Sequence, residues 1–449
     1  MDLFGRKATR QVSELQSVVT SMQQQMQILA ANRTVYPNAQ LLTSVQKYIT
    51  IDDIYSIVNL IATTAAMIPS YAYAIKKGAK VNKSHEVNIV RKRLMQYKTL
   101  EDLPDTDEFQ KFVSDPYYGF SRFEGDIAKN KCMLIHGEYF LYKQRPEFGA
   151  QKNKVVKLHL LYPQHVQIRV NDRFPYKIIG YDYAVDGNVI ISNIPVEDVI
   201  HVKYFNPKLS ITGDELRGLS PLQVLANRVS RIDSNMAVSQ AQMNNGGVPG
   251  IVFMKGMDNT QAGNASEAHK RNFYNYLTKK ENKGAPYFAG NEMDYLQMGL
   301  PLADLLITEL ERVDFKKLCN AYGVSDVLFN NDKASTDNNT EWASKRLYTN
   351  TVLPLLYFER DSINKHLVPD FGPQYFYDFD LTNIPELQSD MKRMAEIFST
   401  LPIMIPNDIL EAFGYGEQSD PSMQQVFIKS GYMPLSDLTS DELPLTNDY

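Results

Sequence analysis

Cysteine is nearly absent from this chain: Cys132 and Cys319 stand far apart, each inside an apolar run. Two such residues cannot make a disulfide framework, and they read as buried free thiols in a reducing compartment. Neither neighbours a histidine. His159 and His165 fall six apart across a predicted turn and His136 in a predicted strand, so no zinc spacing is legible, and no metal or cofactor is expected. The opening residues MDLFGRKATRQ lack the apolar core of a signal peptide. The stretch Ile54 to Ile75 has no charged side chain, yet Pro69 divides it into a helix and a strand rather than a membrane span.

Catalytic signatures are missing as well. There is no G-x-x-x-x-G-K-[ST] phosphate loop and no G-x-S-x-G elbow, and GYGE at 414–417 supplies too few glycines for a dinucleotide turn. Asp52-Asp53 and Glu197-Asp198 are adjacent pairs, which do not converge on one point from a helix or strand; the first suits a helix N-terminus. A nuclease needs carboxylates clustered at a pocket, and none is legible. A formal net charge of -5 gives no bulk attraction to nucleic acid or to an anionic membrane.

What is present is an ordinary globular composition, 43% hydrophobic and 22% charged, long enough for two or three domains. The 27 tyrosines and 21 phenylalanines suit either large protein contacts or core packing. Val12, Leu15, Val19, Met22, Met26 and Leu29 mark an amphipathic helix over 11–31. A second helix covers 51–67 and YAYAI follows as a strand; residues 85–130 mix helix and loop. From Met133 to Tyr204 the period becomes two, and MLIHGEYFLYK, VVKLHLL, HVQIRV, KIIGYDYAV and VEDVIHVKY predict a meander of five antiparallel strands.

A long helix follows, with Ser220 as its N-cap and Pro221 at its first position. Leu222, Leu225, Val229, Ile232, Met236, Ser239 and Met243 make a two-in-seven seam, which packs on one neighbour and leaves the rest of the cylinder bare. At 1.5 Å per residue it runs roughly 35–40 Å. Asn244-Asn245-Gly246-Gly247 stops it and Pro249 prevents resumption. Residues 248–300 predict a strand–helix–strand insert, and Pro301 opens a helix carrying Leu302, Leu306, Leu310, Val313 and Cys319 up to Gly323. A polar loop then ends in a capping box, Asn338 with Glu341, opening a helix to about His366 that Pro354 should kink. Short helices are predicted near Glu386–Thr400 and Asp408–Phe413. Segment 436–449 carries four acidic groups and no basic ones, and reads as mobile.

Taken in order, these segments resemble the portal proteins of tailed bacteriophages, in the family shared by lambdoid-type heads of phages with long non-contractile tails. The resemblance rests on MDLFGRK, IYSIVNLIATTAAMIPSYAY, HGEYFLYK, VEDVIHVKYFNP, RGLSPLQVLANRV, MNNGGVPGIV, LCNAYGVSDVLF and NTEWASKRLYTNTVLPLLYFERDSINKHL, spanning most of residues 1–370. The sequence departs from the family where AYGVSD lacks a Pro after Gly-Val, and in a short C-terminal segment.

The resemblance implies an α+β portal-type fold. Its parts would be an N-terminal arm (1–50), a β-rich wing (51–218), stem helix 1 (219–246), a small α/β clip (247–301), stem helix 2 (302–323), a tunnel loop (324–340), a kinked wing helix with its following strand (341–384), and a short helical crown and tail (385–449). Asn330, Asn331, Lys333, Ser335, Asn338 and Asn339 would face DNA, and Gly246, Gly247 and Pro249 would hinge stem to clip. The implied role is a non-enzymatic ring of about twelve subunits at one capsid vertex of the virion, assembled in the host cytoplasm. It would pass double-stranded DNA without sequence preference and meet the terminase large subunit, a head-completion adaptor, the major capsid protein and the scaffolding protein, and no membrane. Twelve cylinders of about 10 Å diameter leave a bore of about 28 Å, room for a duplex. A loop rich in asparagine suits sliding, because each Lys or Arg bound to phosphate tightens binding. The other readings are a phage-encoded hydrolase or nuclease using His136, Glu138 and nearby acids, and a monomeric minor capsid protein.

Overall fold

A computed structural model describes residues 34–35, 39–81, 85–86, 88–171, 176–209, 213–244, 250–254, 271, 275–276, 293–297, 307–329, 337–401, 403–428 and 433–434. The predicted helix over 11–31, the hinge Gly246, Gly247 and Pro249, and segment 436–449 lie outside these residues. The chain forms two compact units, Met1–Gln223 with Tyr322–Tyr449, and Val224–Ala321.

The first unit opens with β1 (Thr34–Val35), α1 (Ala39–Thr50) and α2 (Asp52–Ala66). Asp52 and Asp53 occupy the first turn of α2, where free N–H groups favour negative charge. Ile54, Ile57, Val58, Ile61, Ala62 and Ala65 repeat at helical spacing and are buried. Pro69 then forces extended backbone into β2 (Ser70–Ile75). Asn88 caps α3 (Ile89–Thr99) by accepting from Val90 N and Arg91 N, and β3 (Leu100–Asp102) follows. Asp107 caps α4 (Glu108–Ser114) in the same way.

The strand predicted from Met133 is corrected here. A capping box between Ser121 and Glu124 starts α5 (Arg122–His136), and Gly137, at φ 77°, ends it. Cys132 through His136 are all buried, so the last turn has no polar face, and an apolar run without a polar face carries no helical period. His136 is thus the end of a helix and not part of a strand.

The remaining strands do not form one meander. β4 (Glu138–Gln144) lies between β5 (Lys157–Leu161) and β9 (Val199–Lys203) in one antiparallel sheet. β6 (Val166–Val170), β7 (Ile178–Val185) and β8 (Asn188–Ile194) join β1 in another, in the order β1-β6-β7-β8. Strand β8 escaped the sequence reading. Asp186 (φ 50°) and Gly187 (φ 81°) make the two-residue left-handed turn that an Asp-Gly pair favours between paired strands. Pro195 opens a turn of 3-10 helix at Val196–Asp198, so the strand predicted from Val196 starts at Val199. Phe140, Val166, Ile168, Tyr181, Ile194 and Val199 join the two sheets in one core cluster.

The predicted first long helix is divided into α6 (Pro221–Val224), at the boundary between the two units in the chain, and α7 (Ala226–Asn244), which belongs to the second. β10 (Gly250–Met254) pairs antiparallel with β11 (Met293–Gln297), and α8 (Ile307–Tyr322) returns the chain to the first unit. There follow α9 (Asp337–Leu347), a π-helical turn over Tyr348–Val352, α10 (Leu353–His366) and α11 (Val368–Phe371). β12 (Tyr375–Phe379) completes the sheet β12-β2-β3. Beyond it lie α12 (Ser389–Thr400), β13 (Ile403–Met404), α13 (Pro406–Ala412), β14 (Phe427–Ile428) and β15 (Met433–Pro434). No helix among the described residues is long and apolar enough to cross a membrane.

Candidate functional site

The chain leaves the first unit through Gly218, Leu219 and Ser220, and these residues are held by a buried charge cluster. Glu138, 0% exposed, accepts from Gly218 N at 2.8 Å and faces His201 Nε2 at 3.1 Å and Arg217 Nη2 at 2.7 Å. Arg217 also donates to Val166 O at 2.7 Å and to Pro163 O at 2.8 Å. Burial pushes the Glu138 carboxyl up, but Arg217, His201 and the Gly218 N–H outweigh it and hold it below the usual range. Burial lowers His201 despite that carboxylate. Gly137 and Gly218 touch backbone to backbone: a Cβ on Gly137 would overlap Leu219 O, and one on Gly218 would overlap Gly137 O. Ser220 donates its hydroxyl to Ile135 O at 2.6 Å and accepts the Gln223 N–H at 3.3 Å, so one side chain both caps α6 and ties it to α5.

Within the second unit, α7 and α8 are pinned by Asp314. Its side chain is 0% exposed and meets Arg228 Nη1 at 2.6 Å and Arg231 Nε at 3.0 Å. Burial raises the Asp314 carboxyl; Arg231 and then Arg228 more than reverse this, and it lies below its ordinary value. Of the seam residues, Leu222, Leu225, Val229 and Ile232 are buried and Met236 is 41% exposed. The apolar stripe of α8 also differs from the sequence reading. Leu310 and Val313 are exposed while Phe315, Leu318 and Cys319 are buried. The pair of arginines on α7 fixes which side of α8 turns inward, because Asp314 must follow them.

Of the loop expected over 330–339, only residues 337–339 are described, and they are helical. Asn330, Asn331, Lys333 and Ser335 lie outside the described residues. Asn338 and Asn339 stand in the first turn of α9, which begins at Asp337, so Asn338 is not the N-cap of a capping box. Pro354 disturbs the helix in a specific way. It lacks the N–H for Asn350 O and its ring crowds that carbonyl. The turn before it widens to π geometry, in which Leu353 N bonds Tyr348 O, and Pro354 restarts a regular helix in the first turn of α10.

That helix is bolted down by charge. Glu359 accepts from Lys129 Nζ at 2.5 Å and from the Tyr377 hydroxyl at 2.8 Å, and Lys129 also meets Asp126 at 2.6 Å. Burial pushes the Glu359 carboxyl up against the pull of Lys129. Asp378 on β12 is paired with Lys92 at 3.0 Å, deep in the interior. Sequence reading missed both networks, because their members lie hundreds of residues apart.

The phage portal protein family matches residues 116–414, about two thirds of the chain. This chain belongs to that family. As a portal protein it is a capsid-vertex component of the head-to-tail connection. An uncharacterized protein of Rickettsia bellii is 20% identical over 360 residues, covering 79% of this chain and 84% of its own length. Among solved structures, the neck of a native gene transfer agent particle computed with C12 symmetry aligns with a TM-score of 0.60 at 22% identity, covering 86% of this chain and 96% of that one. The neck of the empty particle, computed with C6 symmetry, gives the same values. At this identity the likeness establishes the portal fold.

Proposed function

We propose that copies of this chain close into a ring of about twelve subunits whose bore passes double-stranded DNA during packaging and ejection. One observation carries the reading. The helix α7 is 19 residues long, yet beyond Ile232 it leaves Met236 and Val238 exposed at 41% and 42%, with Val224 just before it at 67%. Among the described residues, one copy does not cover these side chains fully. Neighbouring copies of the same helix would. The C12 and C6 symmetries of the gene transfer agent necks agree with a ring of this kind.

In this assignment residues 219–246 and 302–323 are the stem and 247–301 the clip. Residues 51–218 with 341–384 form the wing, 324–340 the tunnel loop, and 385–449 a reduced crown. The terminase large subunit supplies the motive force, so the ring itself needs no catalytic group. The clip meets terminase and then the head-completion adaptor, and the outer wing meets the major capsid and scaffolding proteins. Contacts to DNA are sequence-blind and weak, because tight phosphate binding would stall sliding.

Burial counts against the hydrolase reading at the two residues it names. Glu138 is fully enclosed by Arg217, His201 and Gly218, and His136 is 3% exposed at the end of α5. Native mass spectrometry with negative-stain microscopy tests the ring. A closed ring with a central hole is expected, and a monomer that persists at tens of micromolar would overturn the proposal.

A further inference from the structure

A groove of about 540 Å³ opens in the first unit between β9 and α10. Its floor is apolar, made by Leu353, Pro354, Tyr357 and Phe358, and Phe358 is still 44% exposed. Its rim is basic. Lys365 borders it with the half-buried Lys203, whose Nζ donates to Glu215 O at 2.6 Å, and the one acid in its lining, Asp361, is already engaged by His85 at 2.7 Å and Arg360 at 3.1 Å. Lys365 is exposed and has no carboxylate partner among the described residues. A groove that is greasy below and cationic at the edge suits an acidic segment with interspersed apolar side chains.

We propose that residues 436–449 of this chain dock in that groove. The segment SDLTSDELPLTNDY carries Asp437, Asp441, Glu442 and Asp448 with no basic residue, and Leu438, Leu443 and Leu445 between them. The acids match the lysine rim and the leucines match the floor.

Its place in the chain brings it near. The last described residues, Met433–Pro434, form β15, which pairs with β14, and β14 with β13, directly before α13. This small module leans on α3: Glu411 binds Lys98 at 2.8 Å, and the Arg93 guanidinium lies 5.0 Å above the Tyr415 ring. The other end of the same helix leads to the groove, because His85 lines it and the Tyr357 hydroxyl donates to Glu86 O. α3 is only about 16 Å long. Residues 435–449, extended, span up to about 50 Å, so reach is ample.

Zero-length carbodiimide cross-linking of the full-length chain, read by mass spectrometry, tests this without reference to ring closure. The expected product joins Lys365 to Asp437, Asp441 or Glu442, and its yield falls at least fivefold in 0.5 M salt. Replacing Leu443 and Leu445 by Asp keeps every reactive carboxyl and removes the apolar match, and should cut the same product at least threefold. Two results overturn the proposal. One is that the carboxyls of the segment react with Lys98, Lys154 and other surface lysines as readily as with Lys365. The other is that, in a mixture of isotope-labelled and unlabelled chains, Lys365 links to a carboxylate among residues 1–434 of the other copy, which would put a second copy in the groove.

Discussion

Replacing Glu138 by Gln removes one charge and almost no volume, which makes it a clean probe of the cluster at the root of α6. The Gly218 N–H lies 2.8 Å from Oε2 of the glutamate, and an amide oxygen in the same place still accepts it, so that bond survives in neutral form. What is lost is the counter-charge to Arg217, which is itself only 7% exposed. Breaking a buried ion pair from one side costs about 3–5 kcal/mol, because the partner charge is left stranded. Arg217 keeps its bonds to Val166 O and Pro163 O, which soften the loss toward the low end, about 3 kcal/mol. At about 2 °C or somewhat less per kcal/mol for a unit of this size, the melting temperature should fall by about 5 °C. Scanning fluorimetry reads the shift, and urea unfolding of the same variant separates a stability change from a change in cooperativity. Arg217→Met supplies the second edge of a double-mutant cycle. Glu138→Gln with Arg217→Met should cost less than the sum of the two by about 2 kcal/mol or more. A drop below about 1 °C for Glu138→Gln, or strict additivity in the cycle, would refute the claim that this ion pair holds the root of the helix.

Other consequences can be checked on the same protein. Gly137→Ala places a Cβ against Leu219 O in a left-handed backbone conformation, and should cost about 3 kcal/mol or prevent soluble expression; Gly149→Ala, with a similar φ but open space, should cost only about 1 kcal/mol. Burial lowers the His136 pKa to about 4, so between pH 6.5 and 4 the unfolded chain binds a proton that the folded chain refuses. Stability should therefore decline as pH falls through that window, by about 3 kcal/mol from this residue, and His136→Gln should flatten the slope in urea titrations. Glu138 acts further down, because its depressed pKa protects the fold until the pH drops below the ordinary carboxylate value. Asp314→Ala should loosen the pairing of α7 with α8 only modestly, because Arg228 and Arg231 are 29% and 45% exposed, with faster amide exchange in both helices as the readout.

Some of the fold is legible in short windows of sequence. Helix α2 announces itself through its spaced isoleucines and the acidic pair at its start, and the break at Pro69 follows from a missing N–H. Local periodicity fails where burial is uniform. The last turn of α5 is enclosed on all sides, so nothing in Cys132–His136 distinguishes helix from strand. Strand β8 had a signal that went unused, the Asp186-Gly187 pair between two alternating runs.

The sequence by itself determined that this chain carries no nucleotide loop, no metal spacing and no hydrolase elbow, and that it sets a long, thinly greased helix behind a β-rich region in portal order. These are properties of short windows and of the order in which windows occur, and both survive in one dimension. Only the tertiary structure decided which charges meet. Glu138 finds Arg217 from the far side of the β-rich region, Lys129 finds Glu359, and Asp314 chooses the face of α8 that turns toward Arg228 and Arg231. A buried charge is tolerated only with a partner at contact distance, and contact distance is a property of the folded chain.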